Sequence, residues 1–320
     1  MKRARRIYLY APFAVAAMFM VVWFGLWRTG AQTMERAIAD WGAGERAGGA
    51  VVTHAPFHAR GFPFFLRGAI DDFSFEEGDL SVYVDQVYLD ALPYDFDRLI
   101  ISSGGGAQIG LSDEFWTIKT ADAKASIEPE KDRGWFVKAE AGASTIGREN
   151  TEISFARFLL NGAPNSEDVS RLEVSVHADD LVVADGEHDA RIDAVRADFA
   201  IGAYEMLQGA DAVQDWRSAG GGVDIHGLAL VVGASKLQAK GRLRADQNGR
   251  PVGVLTATIE KPFDFIAALG AAGYLTADEA ETARGAFALL SVAGGGVVEA
   301  PIEFEDGVIR LAGVTIALSK

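Results

Sequence analysis

The sequence predicts a mainly β protein with a few helices: an N-terminal transmembrane helix, then a curved antiparallel sheet, half-barrel or groove-like, packed with two late helices. Three observations predict it. Residues 7–27 form an uncharged, largely apolar run directly after a basic cluster. From Val51 onward the hydrophobic period falls to two, the repeat of a half-buried strand. Glycine recurs in pairs and triplets, at 48–49, 104–106, 220–222 and 294–296, which break helices and mark turns.

The amino terminus comes first. Residues 1–6 carry four basic side chains, and the 21 residues IYLYAPFAVAAMFMVVWFGLW that follow carry no charge. As a helix they span roughly 32 Å, close to the thickness of a bilayer core. Tyr8 and Tyr10 at one end, with Trp23 and Trp27 at the other, stand where an aromatic interface belt stands, and Arg28 closes the span. Pro12 falls near the start of the helix, where Pro is best tolerated. The positive-inside rule puts residues 1–6 in the cytoplasm. The expected arrangement is a single pass through the inner membrane with the carboxy-terminal domain in the periplasm. The competing reading is a cleaved signal peptide. Against it, Thr29-Gly30-Ala31 is a poor cleavage site, and the apolar run is longer than that of most signals.

Residues 28–42 predict an amphipathic juxtamembrane helix with Met34, Ile38 and Trp41 on one face. It either extends the anchor along the membrane interface or packs on the domain. Residues 43–320 then form the exported β-rich domain. Leu80, Val82 and Val84 alternate with Ser81, Tyr83 and Asp85; Leu172, Val174 and Val176 with Glu173, Ser175 and His177; Leu237, Ala239, Gly241 and Leu243 with Gln238, Lys240, Arg242 and Arg244. Such alternation marks antiparallel strands with one buried face. Asn161-Gly162, Asp185-Gly186, Asn248-Gly249 and Asp306-Gly307 are turn signals, and Asn248-Gly249 is the strongest hairpin. Pro262 opens a helix over 262–269, Thr276 to Glu279 is a capping box for a helix running to about Leu290, and 203–217 is a weaker helix. A hairpin of 297–305 and 308–318 closes the chain. The strands fall into halves, 43–200 and 220–320, of one sheet.

Composition and missing motifs bound the function. The chain has no Cys and a net charge of −15. Thiolate chemistry is excluded, and nucleic acid is a poor partner because phosphate binding needs clustered Lys and Arg. His54 and His58 sit four apart, but Pro56 between them spoils a helical metal pair and no third ligand is near. Asp71-Asp72, Glu76-Glu77 and Asp179-Asp180 are adjacent carboxylates, which on a strand point to opposite faces; they read as solvated turns. No G-x-S-x-G, P-loop or G-x-G-x-x-G pattern occurs. A catalytic role is therefore not expected, with a hydrolase of dispersed residues as the remaining enzymatic reading. No metal or other cofactor is expected.

Apolar excess is the more informative signal. In GFPFFLRG, at 61–68, Phe62, Phe64 and Leu66 face one way, Pro63 and Phe65 the other. Val252 and Val254 likewise oppose Leu255, Ala257 and Ile259. Either the late helices cover the second face or it lines an apolar groove. On the groove reading, Phe62, Phe64, Phe65 and Leu66 are its wall, in a strand buried on both faces.

Several stretches resemble one known family. Trp41 followed by GFPFFLR at 61–67, ALPYDFDRLII at 91–101, the segment 223–253, AALGAAGYLTADEA at 267–280 and APIEFEDGVIRLAGVTIAL at 300–318 are similar to the DUF2125 family of bacterial membrane-anchored proteins. The resemblance implies an anchored, exported, β-rich protein and transfers no catalytic residue. A looser architectural likeness, one span followed by long antiparallel sheet, is to AsmA-type envelope proteins associated with lipid movement. The expected function is binding or shielding of lipid or another apolar ligand in the periplasm, with the inner-membrane bilayer as one partner. The alternative is an interaction scaffold that holds another envelope protein through sheet edges.

Overall fold

The computed structural model describes residues 2–93, 95–111, 114–130, 134–186, 189–207, 212–293, 296–305 and 307–316; residues 2–12, 14, 95–97, 130, 289, 292, 293, 314 and 316 are described by backbone alone. The chain divides into two compact units, Met1–Asp113 and Glu114–Lys320. The sequence pattern instead grouped the strands on either side of residues 203–217.

The first unit opens on α1 (Lys2–Gly48), a continuous helix of 47 residues. The apolar run and the amphipathic segment, expected as separate elements, both belong to it. Among the described residues no helix is long and apolar enough to cross a membrane. The early part of the apolar run has no described side chains. Trp27, Ala31 and Met34, with Ile38 partly buried, recur at helical spacing and pack with Phe57, Leu66, Ile70, Leu89 and Ala91. The amphipathic face thus packs on its own unit. Trp41 extends that contact by stacking on Phe73, centroids 6.2 Å apart.

The strands of this unit are β1 (Val51–Thr53), β2 (Leu66–Glu77), β3 (Leu80–Leu92), β4 (Asp95–Ser103) and β5 (Ala107–Leu111). Strands β2 and β3 pair antiparallel from Leu66↔Ala91 to Glu77↔Leu80. Asp71 and Asp72 lie inside β2, not in a turn, and Asp72 takes a left-handed φ of 54°. Asp180 does the same inside a strand of the second unit, with φ 52°. The expected strand over 61–65 is not formed. Those residues make a turn in which the Phe64 and Phe65 amides donate to the Gly61 carbonyl, at 3.1 and 3.0 Å. Gly61 has φ 103°, and a Cβ there would lie 2.9 Å from the Phe65 carbonyl oxygen. Pro63 offers no amide to a ladder, so local chemistry favours the turn over the pleat.

The second unit is antiparallel and begins with β6 (Glu114–Thr120), β7 (Ala123–Glu130), β8 (Gly134–Ala141), β9 (Ser144–Arg148), β10 (Thr151–Phe155), β11 (Arg157–Pro164), β12 (Arg171–Ala184) and β13 (Asp189–Gly202), in which β6 pairs with β9, β8 with β7 and β11, and β10 with β9 and β12. A 3₁₀ turn at Tyr204–Met206 and the short α2 (Ala212–Ser218) stand where the weak helix was expected. Then follow β14 (Gly222–Val232), β15 (Ser235–Ala245), β16 (Pro251–Glu260), α3 (Pro262–Ala271), α4 (Ala277–Ala293), β17 (Val297–Glu305), β18 (Val308–Leu311) and β19 (Val314–Ile316). From β12 each strand pairs antiparallel with the next.

Most turn signals hold. Asn248-Gly249 joins β15 to β16, with Asp246 Oδ1 accepting from the Asn248 and Arg250 amides at 2.7 and 2.8 Å. Gly186 and Gly307 take positive φ between paired strands, while Asp306 lies outside the described residues. Asn161-Gly162 forms no turn: it sits inside β11, where Gly162 pairs with Val174 on one side and Val137 on the other. The last hairpin is split by Ala312 and Gly313, both at positive φ, so β18 and β19 replace a single long strand; Leu318 lies outside the described residues.

Both late helices form. Their start signals work as read: Pro262 stands at the first turn of α3, and at α4 the Thr276 amide donates to Glu279 Oε2 at 2.8 Å while the Glu279 amide donates to Thr276 Oγ1 at 3.3 Å. The helices bury Phe265, Ile266, Ala283 and Phe287 against Leu237, Ala239, Leu255, Ala257, Ile259 and Val298. Each such large apolar side chain contributes about 1.5–3 kcal/mol. Helix cover, not an open groove, therefore explains the apolar face of β15–β17. On the opposite face Val254 is exposed beside Thr256 and Thr258.

Candidate functional site

Exposed or concave surface gathers at three places: the turn at 61–65, a cleft beside α3 and the polar face of β13–β17. The four residues expected to wall a groove separate. Leu66 is 0% exposed and belongs to the core of the first unit. Phe62 packs edge-on against Phe24 and Trp27 of α1, centroids 5.3 and 5.7 Å away. Phe64 and Phe65 point outward, 70% and 56% exposed. Two indoles pin the turn to α1: Trp23 Nε1 donates to the Pro63 carbonyl and Trp27 Nε1 to the Phe65 carbonyl, both at 2.7 Å. The neck is closed by paired backbone bonds between Arg60 and Arg67 at 2.6 and 2.8 Å. The Arg67 side chain is held by Asp90, whose hydrogen bond raises the guanidinium pKa above its ordinary value.

Of the expected interface residues, Trp27 is buried in the unit, Trp23 is half-buried under the turn and Arg28 is exposed. The side chains of Tyr8 and Tyr10 lie outside those described. Trp27 is thus a core residue of the first unit, a role its place at the end of an apolar run gave no sign of.

In the second unit a cleft of about 300 Å³ opens between α3 and the ends of β12–β14. Val183, Ile192, Leu230, Phe265 and Leu269 give it an apolar lining. Ala268, Ala271 and Ala272 leave it unfilled, because their side chains are too short to reach across it. Tyr274, Asp189 and Arg191 supply polar groups. Arg191 is held by Asp180 and Asp193, at 3.1 and 3.8 Å. The alanine-rich AALGAAGY stretch was the available signal: a helix packed on a sheet through small residues leaves space where large ones would close it.

On the face of β13–β17 away from the helices lies a wider cavity of about 860 Å³. Ala194, Gly227, Ala229 and Ala239 are among its small residues; Arg196, Lys236, Lys240, Asp198 and Glu299 are its charged ones. Neighbouring charges are paired: Asp224 takes Arg171 at 2.8 Å and Arg242 at 3.3 Å, and His226 lies 3.4 Å from Glu173. The remaining histidines stay apart. His54 Nδ1 is 2.8 Å from the Ala55 carbonyl, His58 is 3.9 Å from Glu35 and His177 is 2.7 Å from Asp179, while His188 lies outside the described residues. Among the described residues no three His, Asp or Glu side chains converge as a metal site requires.

The family model for DUF2125, an uncharacterized protein conserved in bacteria, matches residues 27–318. No curated protein and no solved structure matches the chain.

Proposed function

The chain belongs to the DUF2125 family, and from that premise we propose that it is a membrane-tethered, non-enzymatic protein that binds a single acyl chain or a comparable apolar group. The observation that carries this reading is the apolar cleft of about 300 Å³ beside α3. Ligand sites are concave, mostly apolar and largely preformed, with a few polar groups that orient the ligand. At about 30 Å³ for each water-sized group, the cleft has room for roughly ten methylenes. Burying each is worth about 0.8 kcal/mol, and losses of translational and side-chain freedom offset at least half of the sum. The outcome is weak, reversible binding, suited to holding an apolar chain and releasing it. The mechanism is passive: the cleft shields the chain from water, and no bond is made or broken.

The tether is residues 7–27, with the amino terminus in the cytoplasm and the rest beyond the inner membrane. Two facts support it. The run carries no charge after four basic residues, and Phe13, Val15, Met18, Phe19 and Val21 of α1 are all exposed. Large apolar side chains clustered on one helix are costly in water and at no disadvantage in hydrocarbon. The test is native mass spectrometry of the full-length protein titrated with palmitate. One adduct per chain is expected, and a chain that stays bare at saturating palmitate sinks the binding reading.

A further inference from the structure

We propose that the turn at 61–65 is a lipid-binding wedge that enters the bilayer interface beside the end of α1. The inference rests on the tether reading of residues 7–27. The partner it commits to is the boundary between headgroups and acyl chains of a phospholipid bilayer.

The geometry sets the depth. Trp23 and Trp27 hold the Pro63 and Phe65 carbonyls at 2.7 Å, so the turn is fixed against the last helical turn of the apolar run. Four residues of helix are about 6 Å of rise. The turn therefore overlaps the apolar run by about 6 Å, within the roughly 5–10 Å that interfacial segments penetrate. If residues 7–27 cross the bilayer, whatever is fixed to Trp23 stands inside its surface layer. Phe64 and Phe65 are the side chains fixed there, and they face outward at 70% and 56% exposure.

The turn is built to present them. Phe62 is spent on packing against Phe24 and Trp27, and Leu66 and Phe57 are buried beneath. Gly61 permits the tight return of the chain, since a Cβ there would lie 2.9 Å from the Phe65 carbonyl oxygen. A rigid turn that shows two phenyl rings to water gains nothing from folding; one that shows them to lipid does. Charge agrees with depth. Arg28 follows Trp27 on α1, and Arg60 precedes the turn; both are exposed. That is the level at which cations meet lipid phosphates.

The experiment uses the full chain in vesicles of phosphatidylcholine with a minority of phosphatidylglycerol. Because the protein has no cysteine, Phe64→Cys, Phe65→Cys and, as a distant control at the β2–β3 turn, Asp79→Cys can each carry one environment-sensitive fluorophore. Flotation with vesicles is read first, then quenching by lipids spin-labelled near the headgroup end of the acyl chain. The expected result is flotation of all three, with most of the emission lost at positions 64 and 65 and none at 79. Flotation with positions 64 and 65 as unquenched as 79 overturns the wedge and leaves the tether standing. Failure of the unsubstituted protein to float overturns the tether and the wedge with it.

Discussion

Substituting Ala268→Phe should abolish acyl-chain binding and leave the fold intact. Ala268 is half-buried on α3 and lines the cleft between that helix and the ends of β12–β14. A phenyl ring there occupies roughly half of the ten or so methylene positions that the cleft holds. At about 0.8 kcal/mol for each displaced methylene, the lost gain is ~4 kcal/mol, close to a thousandfold in Kd. The assay is isothermal titration of palmitate into wild-type and variant full-length protein under identical detergent conditions. Urea unfolding of both confirms that the variant is folded, since the new ring enters open space. A folded Ala268→Phe protein that binds palmitate as tightly as the wild type would refute the reasoning, because the ligand would then sit elsewhere.

Other outcomes follow from packing and capping. Phe287→Ala removes a ring that is 1% exposed between α4 and the sheet, and should cost about 3–5 kcal/mol in urea unfolding. Gly253→Ala puts a Cβ 2.3 Å from the Arg242 carbonyl oxygen at φ 150°; the loss should exceed about 1 kcal/mol, whereas Gly227→Ala, with no atom within 4 Å, should be nearly neutral, and equal effects would argue against the close β15–β16 approach. Thr276→Ala should lower stability by about 1 kcal/mol through loss of the α4 cap, read as a shift in the urea midpoint. At the same cap the Thr276 amide, then its hydroxyl, hold the Glu279 carboxyl below its ordinary pKa. A depressed folded pKa stabilises in full above the unfolded value and stops doing so as pH falls through the folded one. The stability gap between wild type and Glu279→Gln should therefore shrink on acidification through that interval, and a gap constant with pH would contradict it.

Sequence signals are legible where local chemistry decides the structure. The capping box of Thr276 and Glu279 and the Asp246-closed hairpin at Asn248-Gly249 involve residues a few positions apart. Their partners lie within the window that a sequence pattern covers. The turn at 61–65 failed that test. Phe62, Phe64 and Phe65 around Pro63 look like a buried strand, yet Gly61 and Pro63 favour a turn, and Trp23 and Trp27, 40 and 38 residues away, fix it against α1. Asn161-Gly162 misled for the same reason: a turn dipeptide lies flat in β11 because strands on both sides pair with it. The apolar faces of 252–259 left two readings open, and α3 and α4 decide between them by covering Leu255, Ala257 and Ile259. The cleft was legible only in part: the alanine-rich stretch 267–274 marks its small side, and nothing in the sequence shows what faces it. Val183, Ile192, Leu230 and Leu269 come from four separate elements, and a void formed where small residues face large ones leaves no periodic trace.

The continuity of α1 has a mechanical meaning for the first unit. A flexible connection of the 21 residues after Trp27 would act as a leash, letting a domain wander over roughly 25 Å. Instead those residues are helix as far as Gly48, and Trp27, Ala31 and Met34 weld it to the sheet they serve. No slack remains between the mooring and the unit moored. Under the proposed tether, the first unit would ride at one height and turn only when the span turns, so a change in bilayer thickness or helix tilt would become a change in the unit's heading.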